Sequence, residues 1–187
     1  MLEYKWGKFE LGHAPRRTKI AYTWLLLYLL LGLGTIVAIE TIKTGWTPQG
    51  VADYYRGNEE KFIFQKTPLE MLEVAHMHLF TIPVVFFILG HAFLMTMLKE
   101  AFKIRVVAVA MAAVFGSIAS PWAVRFGSGA FGAVKVISDA ALSMTLIFMV
   151  VYPLYEMWGP PGRPHQKRHQ DTRTPRHRDT DASKRSG

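Results

Sequence analysis

EMLEVAHMHLFTIPVVFFILGHAFLMTMLK, residues 70–99, is the stretch whose reading decides the fold. It stays predominantly apolar for longer than the ~20 residues a helix needs to cross a ~30 Å hydrocarbon layer. It also carries His76, His78 and His91, the three histidines that lie within the apolar part of the chain. An imidazole inside a bilayer is unfavourable without a partner, so histidines there mark a functional site facing other helices. At ~100° per residue, Glu73, Phe80, Pro83, Phe87, Gly90, His91 and Leu94 share a face with His76, while His78 lies roughly 160° away. The expectation is that the face carrying Glu73, His76 and His91 looks into a bundle.

Working outward, three more apolar runs accompany this one. The 187 residues are one domain's worth of chain. Half of them are hydrophobic (50%), gathered into long runs with no alternating strand pattern. Only helices or closed barrels satisfy their backbone in lipid. The fold class is therefore an all-α integral membrane protein, a four-helix transmembrane bundle. Spans are predicted over 20–39, 72–98, 104–124 and 134–157, within a transmembrane domain 20–158. Residues 1–19 mix aromatics with Lys and Arg, as a segment lying at the headgroups does. Residues 159–187 hold eight Lys/Arg against three Asp and almost nothing apolar. They cannot offset their ordering entropy, so a disordered basic tail is predicted, with His165, His169 and His177 solvated in it.

The formal charge of +8 sits mostly in that tail, leaving about +3 for the body, and so points to no nucleic-acid partner. The basic N-terminal segment, the link at 99–105 and the tail fall on one side of four spans. By the positive-inside rule both termini are cytoplasmic, and a bacterial inner membrane is the expected location. The chain has no cysteine, which excludes disulfides, iron–sulfur clusters, thiolate zinc and covalently attached haem within it. A redox metal here would need His, Met, carboxylate or non-covalent haem.

Along the chain, Gly32 and Gly34 in the first span could admit a close helix neighbour. Thr47-Pro48 and Thr67-Pro68-Leu69-Glu70 read as helix starts, with Thr as N-cap and Pro at the first helical position. The first opens a short capping helix on the outer side, bearing Tyr54 and Tyr55. Pro83 should bend the second span. Ala108, Ala112, Gly116 and Ser120 recur every four residues, a ridge for close packing. FGSGAFGA after Arg125 reads as a flexible turn. Asp139 is a further charge within a span, with Lys135 four residues before it and Arg125 nearby as ion-pair partners.

Two sites compete for the histidines. Glu70, Glu73, His76 and His78 at the outer end suit copper or zinc. The alternative uses His76 and His91, 15 positions apart on one side of the helix and so ~22 Å apart along its axis. A pair of histidines so spaced on one membrane helix resembles the haem-bearing helix of the membrane four-helix b-type cytochromes. That resemblance implies haem b with His76 and His91 as iron ligands and Phe80, Phe87 and Gly90 against the macrocycle. Glu73 would orient an imidazole. Spans one, three and four contain no histidine. A second ligand must then be Met144 or Met149, or come from a homodimer or another membrane subunit; five-coordinate haem is the remaining possibility. The function this implies is electron transfer with quinol or quinone inside a larger complex, with Asp139, Glu73 and His76 handling protons beside a quinone pocket walled by Trp122 and Phe126. The contrasting reading is a non-catalytic anchor or assembly subunit whose histidines only join helices. No set of catalytic residues is assigned.

Overall fold

The computed structural model describes residues 10–159. The remainder of the N-terminal segment, and the tail from residue 160 with its three histidines, lie outside the described residues. Five helices follow in order: α1 (Arg16–Thr44), α2 (Pro48–Arg56), α3 (Pro68–Leu94), α4 (Glu100–Phe126) and α5 (Gly132–Trp158). All but α2 are long and apolar enough to cross a membrane. The described residues contain no named strand; a lone bridge between Asn58 and Ile63 pinches the loop after α2. Helices α4 and α5 form the most extensive pair, α1 leans on α5, and α3 lies across α4 and α5. α1 and α3 are not an extensive pair; they meet in the core near the termini, where Leu26 lies with Leu89 and Phe93.

The helix starts are where the sequence puts them. Thr47 Oγ1 accepts from Gly50 N at 3.0 Å, and Thr67 and Glu70 form a reciprocal capping box. The C-termini are closed by cations from elsewhere. Lys103 Nζ donates to the carbonyls of Leu94 (2.6 Å) and Thr96 (3.0 Å) at the end of α3. Arg56 Nη1 donates to Val124 O (3.1 Å) and Gly127 O (3.0 Å) at the end of α4, and Lys19 Nζ to Met157 O (2.9 Å) near the end of α5. Terminal carbonyls have no partner within their own helix, and these ammonium and guanidinium groups also complement the helix dipole.

At the end of the bundle near both termini, Leu11, Leu26, Leu89, Phe93, Ala110 and Met149 form a closed core. Leu11 N donates to Met95 O (3.0 Å), which fixes the segment before α1 beneath it. At the opposite end, α2 lies over the bundle as a lid. Gly132 makes this possible, because a Cβ there would collide with the Pro48 backbone. The glycine-rich turn after Arg125 is thus an ordered seat for the lid, with a 3-10 turn over Gly129–Phe131 capped by Ser128.

Four expectations change. α3 stops at Leu94 rather than residue 98, because Thr96 Oγ1 turns back on Phe93 O (2.7 Å) and Lys103 occupies the freed carbonyls. α1 runs on to Thr44, which puts Glu40 inside a helix rather than in the following loop. Ala108 and Ala112 face outward; Ala110, Ala113, Val114, Ser120 and Val124 carry the buried side of α4, and only Gly116 and Ser120 of the four-residue ridge reach it or its border. Gly116 still serves close packing, since a Cβ on it would meet the Ser138 side chain. Nothing lies within 4 Å of where a Cβ would sit on Gly32 or Gly34, so neither draws a neighbour close.

Candidate functional site beneath the lid

The buried side of α3 is the side opposite His76. Met71, Leu89, Ala92 and Phe93 are its buried side chains, centred roughly 145° from His76 at ~100° per residue. His76 and His91 are exposed, with Phe80 at 68% and Phe87 at 77% exposure beside them. Each imidazole rests on an aromatic ring of its own helix: His76 on Phe80 (4.9 Å between centroids) and His91 near-parallel to Phe87 (6.4 Å). Gly90 is buried behind them. The face expected to look into the bundle is therefore exposed, with Phe87 and His91 bordering Tyr22 and Leu25 of α1. The buried side chains opposite are wholly apolar, whereas two buried imidazoles would each need a hydrogen-bonding partner.

His78 is exposed as well, but on the side toward the lid. It lines a cavity of about 450 Å³ under the lid, with Glu73, Val74 and Ala75 from the same helix. Helix α1 contributes Ile36, Ile39, Glu40 and Lys43, and α2 contributes Tyr54 and Tyr55. Helix α4 contributes Ser117, Ile118, Pro121 and Trp122, and α5 contributes Lys135. The lower wall is apolar and the upper part is ionic.

At the heart of the ionic part is Lys135, 5% exposed. Its ammonium is paired with Asp139, one turn further along α5, and lies 3.9 Å from the Glu40 carboxylate of α1. The other oxygen of Asp139 accepts from Ser117 Oγ at 2.6 Å. The group joins α1, α4 and α5. In lipid, where apolar contact alone gives helices no hydrophobic drive to associate, such polar bonds are part of what holds a bundle together. A buried charge needs this much pairing to persist.

His78 Nδ1 donates to Val74 O (2.7 Å), which leaves Nε2 as an acceptor. Burial, and secondarily the nearby Glu40 carboxylate, push the Tyr55 phenol well above its ordinary range. Tyr55 therefore stays protonated and remains a hydrogen-bond donor. Tyr54 is bracketed by the Lys43 and Lys66 ammonium groups at 5.4 and 5.1 Å from its ring, a double cation–π contact at the mouth.

The sequence-predicted residues divide accordingly. Glu73 reaches the cavity, without His76. Asp139 pairs with Lys135 as expected, but Arg125 does not join it: Arg125 Nε donates to Lys66 O (2.8 Å) and ties the loop before α3 to α4. Trp122 is a wall; Phe126 stacks on it at 5.9 Å but is 57% exposed and outside the lining. Among the described residues no three His, Asp or Glu side chains come together as a metal site, so Glu70, Glu73, His76 and His78 are not gathered around one point. Met149 is enclosed in the core near the termini, and Met144 is 72% exposed.

Residues 45–165 match a family model, Aq_1264_TM, described as a transmembrane helical domain. The chain belongs to that family. It is accordingly an integral membrane protein, and the lipid bilayer is its surroundings. The match starts immediately after α1, so the family domain holds the lid and three of the four spanning helices. Searches of curated proteins and of solved structures returned no match. Sequence reasoning missed Glu40, Ser117 and Tyr55. Glu40 alone had a visible signal, an acid at the edge of an apolar run.

Proposed function

We propose that this protein is a membrane subunit that binds quinol or quinone in the cavity beneath the lid and takes part in electron transfer within a larger complex. The observation that carries the reading is the pairing of a membrane-level apolar wall, including Trp122, with a fixed set of proton-handling groups at one end. A quinone head is flat and apolar on its faces and accepts hydrogen bonds at its two oxygens. Tyr55 is a protonated donor for one such oxygen, and His78 Nε2 and Glu73 are acceptors for the protons that a quinol releases on oxidation. The Lys135, Asp139 and Glu40 group holds a fixed field beside them. Electrons leave to a partner's cofactor. By the charge bias of the flanking segments, the lid faces away from the cytoplasm.

Tryptophan emission tests the reading. A tailless benzoquinone added to the protein in nanodiscs should quench a saturable fraction of emission, and that fraction should vanish in Trp122→Phe. Quenching that never saturates, or that is unchanged in Trp122→Phe, overturns it.

A second reading concerns haem, and the outward imidazoles favour it. Among the described residues no second imidazole faces His76 or His91, so they do not complete a bis-histidine site. These two residues would hold iron only with ligands from another copy or another subunit seated on this face of α3. Haem there would supply one-electron transfer. The reduced-minus-oxidised spectrum of the complex should then show a b-type band that His76→Ala and His91→Ala each diminish. The same substitutions, being at exposed positions, should leave the thermal stability of the isolated chain within about 0.5 kcal/mol of the parent. A complex without the band removes the haem reading and leaves the cavity reading intact.

A further inference from the structure

The cavity beneath the lid is walled on one side by α1 and α3, whose seam is not among the extensive helix pairings. A second cavity, of about 280 Å³, opens on the same seam toward the terminal end, between Tyr22 and Leu25 of α1 and Phe87, Ile88 and His91 of α3. On α1 the two are joined by a single helical stripe, since Leu25, Gly32 and Ile36 fall within about 40° of one another, and it runs ~16 Å from Leu25 to Ile36. Midway along the stripe Gly32 is exposed, and a Cβ on it would meet nothing within 4 Å. Gly34, equally open, lies on the opposite side of α1.

Building on the quinone reading above, we infer that the ligand is a long-chain quinone whose apolar tail lies in the α1–α3 seam, running from the lid cavity past Gly32 toward Tyr22 and Phe87. Three features converge on this occupant. The head cavity is polar at one end and apolar at the end facing the seam. The seam connects two cavities along one line of apolar side chains. Its opening is lateral, so a molecule dissolved in the bilayer enters without crossing the lid.

Gly32→Leu fills the seam without a backbone clash, and Gly34→Leu is the matched control. Each is titrated in nanodiscs by Trp122 quenching with a tailless benzoquinone and with the same head bearing a decyl chain. The expected result is that Gly32→Leu weakens the decyl compound by roughly tenfold, the equivalent of one to two methylene groups displaced, and leaves the tailless compound unchanged. Gly34→Leu should change neither. Equal affinity of parent and Gly32→Leu for the decyl compound overturns the inference, as does a loss shared by both compounds. If Gly32→Leu instead depletes co-purifying phospholipid with quinone affinity unchanged, the seam holds a lipid chain and the inference fails. Failure of the tailless compound to bind the parent protein defeats the head site itself, which separates the two claims.

Discussion

Lys135 is the residue on which the lid end depends most. It is nearly inaccessible and faces two carboxylates, of Asp139 and Glu40. Replacing it with methionine leaves Asp139 enclosed with only the Ser117 hydroxyl for a partner. Breaking one side of a buried pair typically costs ~3–5 kcal/mol, whereas replacing both sides by apolar groups is close to neutral. Lys135→Met should therefore lower the melting temperature in detergent sharply, and Lys135→Met combined with Asp139→Leu should recover most of the loss. A single variant as stable as the parent would mean that this pair does not hold the bundle. Asp139 and Lys135 are legible in the sequence as an i, i+4 pair within a span, but Glu40 and Ser117 are not. They come from helices whose rotation about their axes no local pattern specifies.

Among the elements, α2 shows the clearest line from sequence to structure. Thr47, Pro48 and the capping interaction with Gly50 were legible from residue types alone, as was the capping box of Thr67 and Glu70. What was not legible is how the lid is held. Arg56 reaches across to two carbonyls at the end of α4, and the buried Asp53 is bound by Lys61 at 2.6 Å and by Gln49 at 2.9 Å. Arg56→Ala should raise hydrogen exchange in residues 48–56 about tenfold, as expected for losing ~1.5 kcal/mol of charge-assisted bonding, with the spans unaffected. The Lys61 ammonium, with Asn58 and Gln49 behind it, holds the Asp53 carboxyl down to about 2 from its ordinary 3.8. Because the folded value is the lower one, the stabilisation is complete above pH ~4 and is lost as the pH falls from ~4 toward ~2. Acrylamide quenching of Trp46, two residues before α2, should therefore increase over that window in the parent. In Asp53→Asn it should be high already at pH 6 and flat below it.

For the whole molecule, composition and run length were enough to read four spans, because hydrocarbon thickness fixes helix length so tightly. The rotation of α3 was not readable. Its residues are apolar on nearly every side, so periodicity gives no dominant inward stripe of the kind a soluble amphipathic helix displays. The histidine face was the conspicuous one, but it is the opposite, apolar face that packs, with Leu89 and Phe93 entering the core. His78 was thereby turned toward the lid cavity. That cavity draws on five helices far apart in sequence, which is why its outline is visible only once they are assembled.

The central claim is that the space beneath the lid is a quinone site. A photoactivatable azidoquinone, cross-linked in nanodiscs and mapped by peptide mass spectrometry, measures this most directly. The account predicts label on the segments holding Tyr55, His78 and Trp122, suppressed by excess unlabelled quinone. Label confined to the outward face around His76 and Phe80, or label at the lid cavity that excess quinone does not compete away, would contradict it.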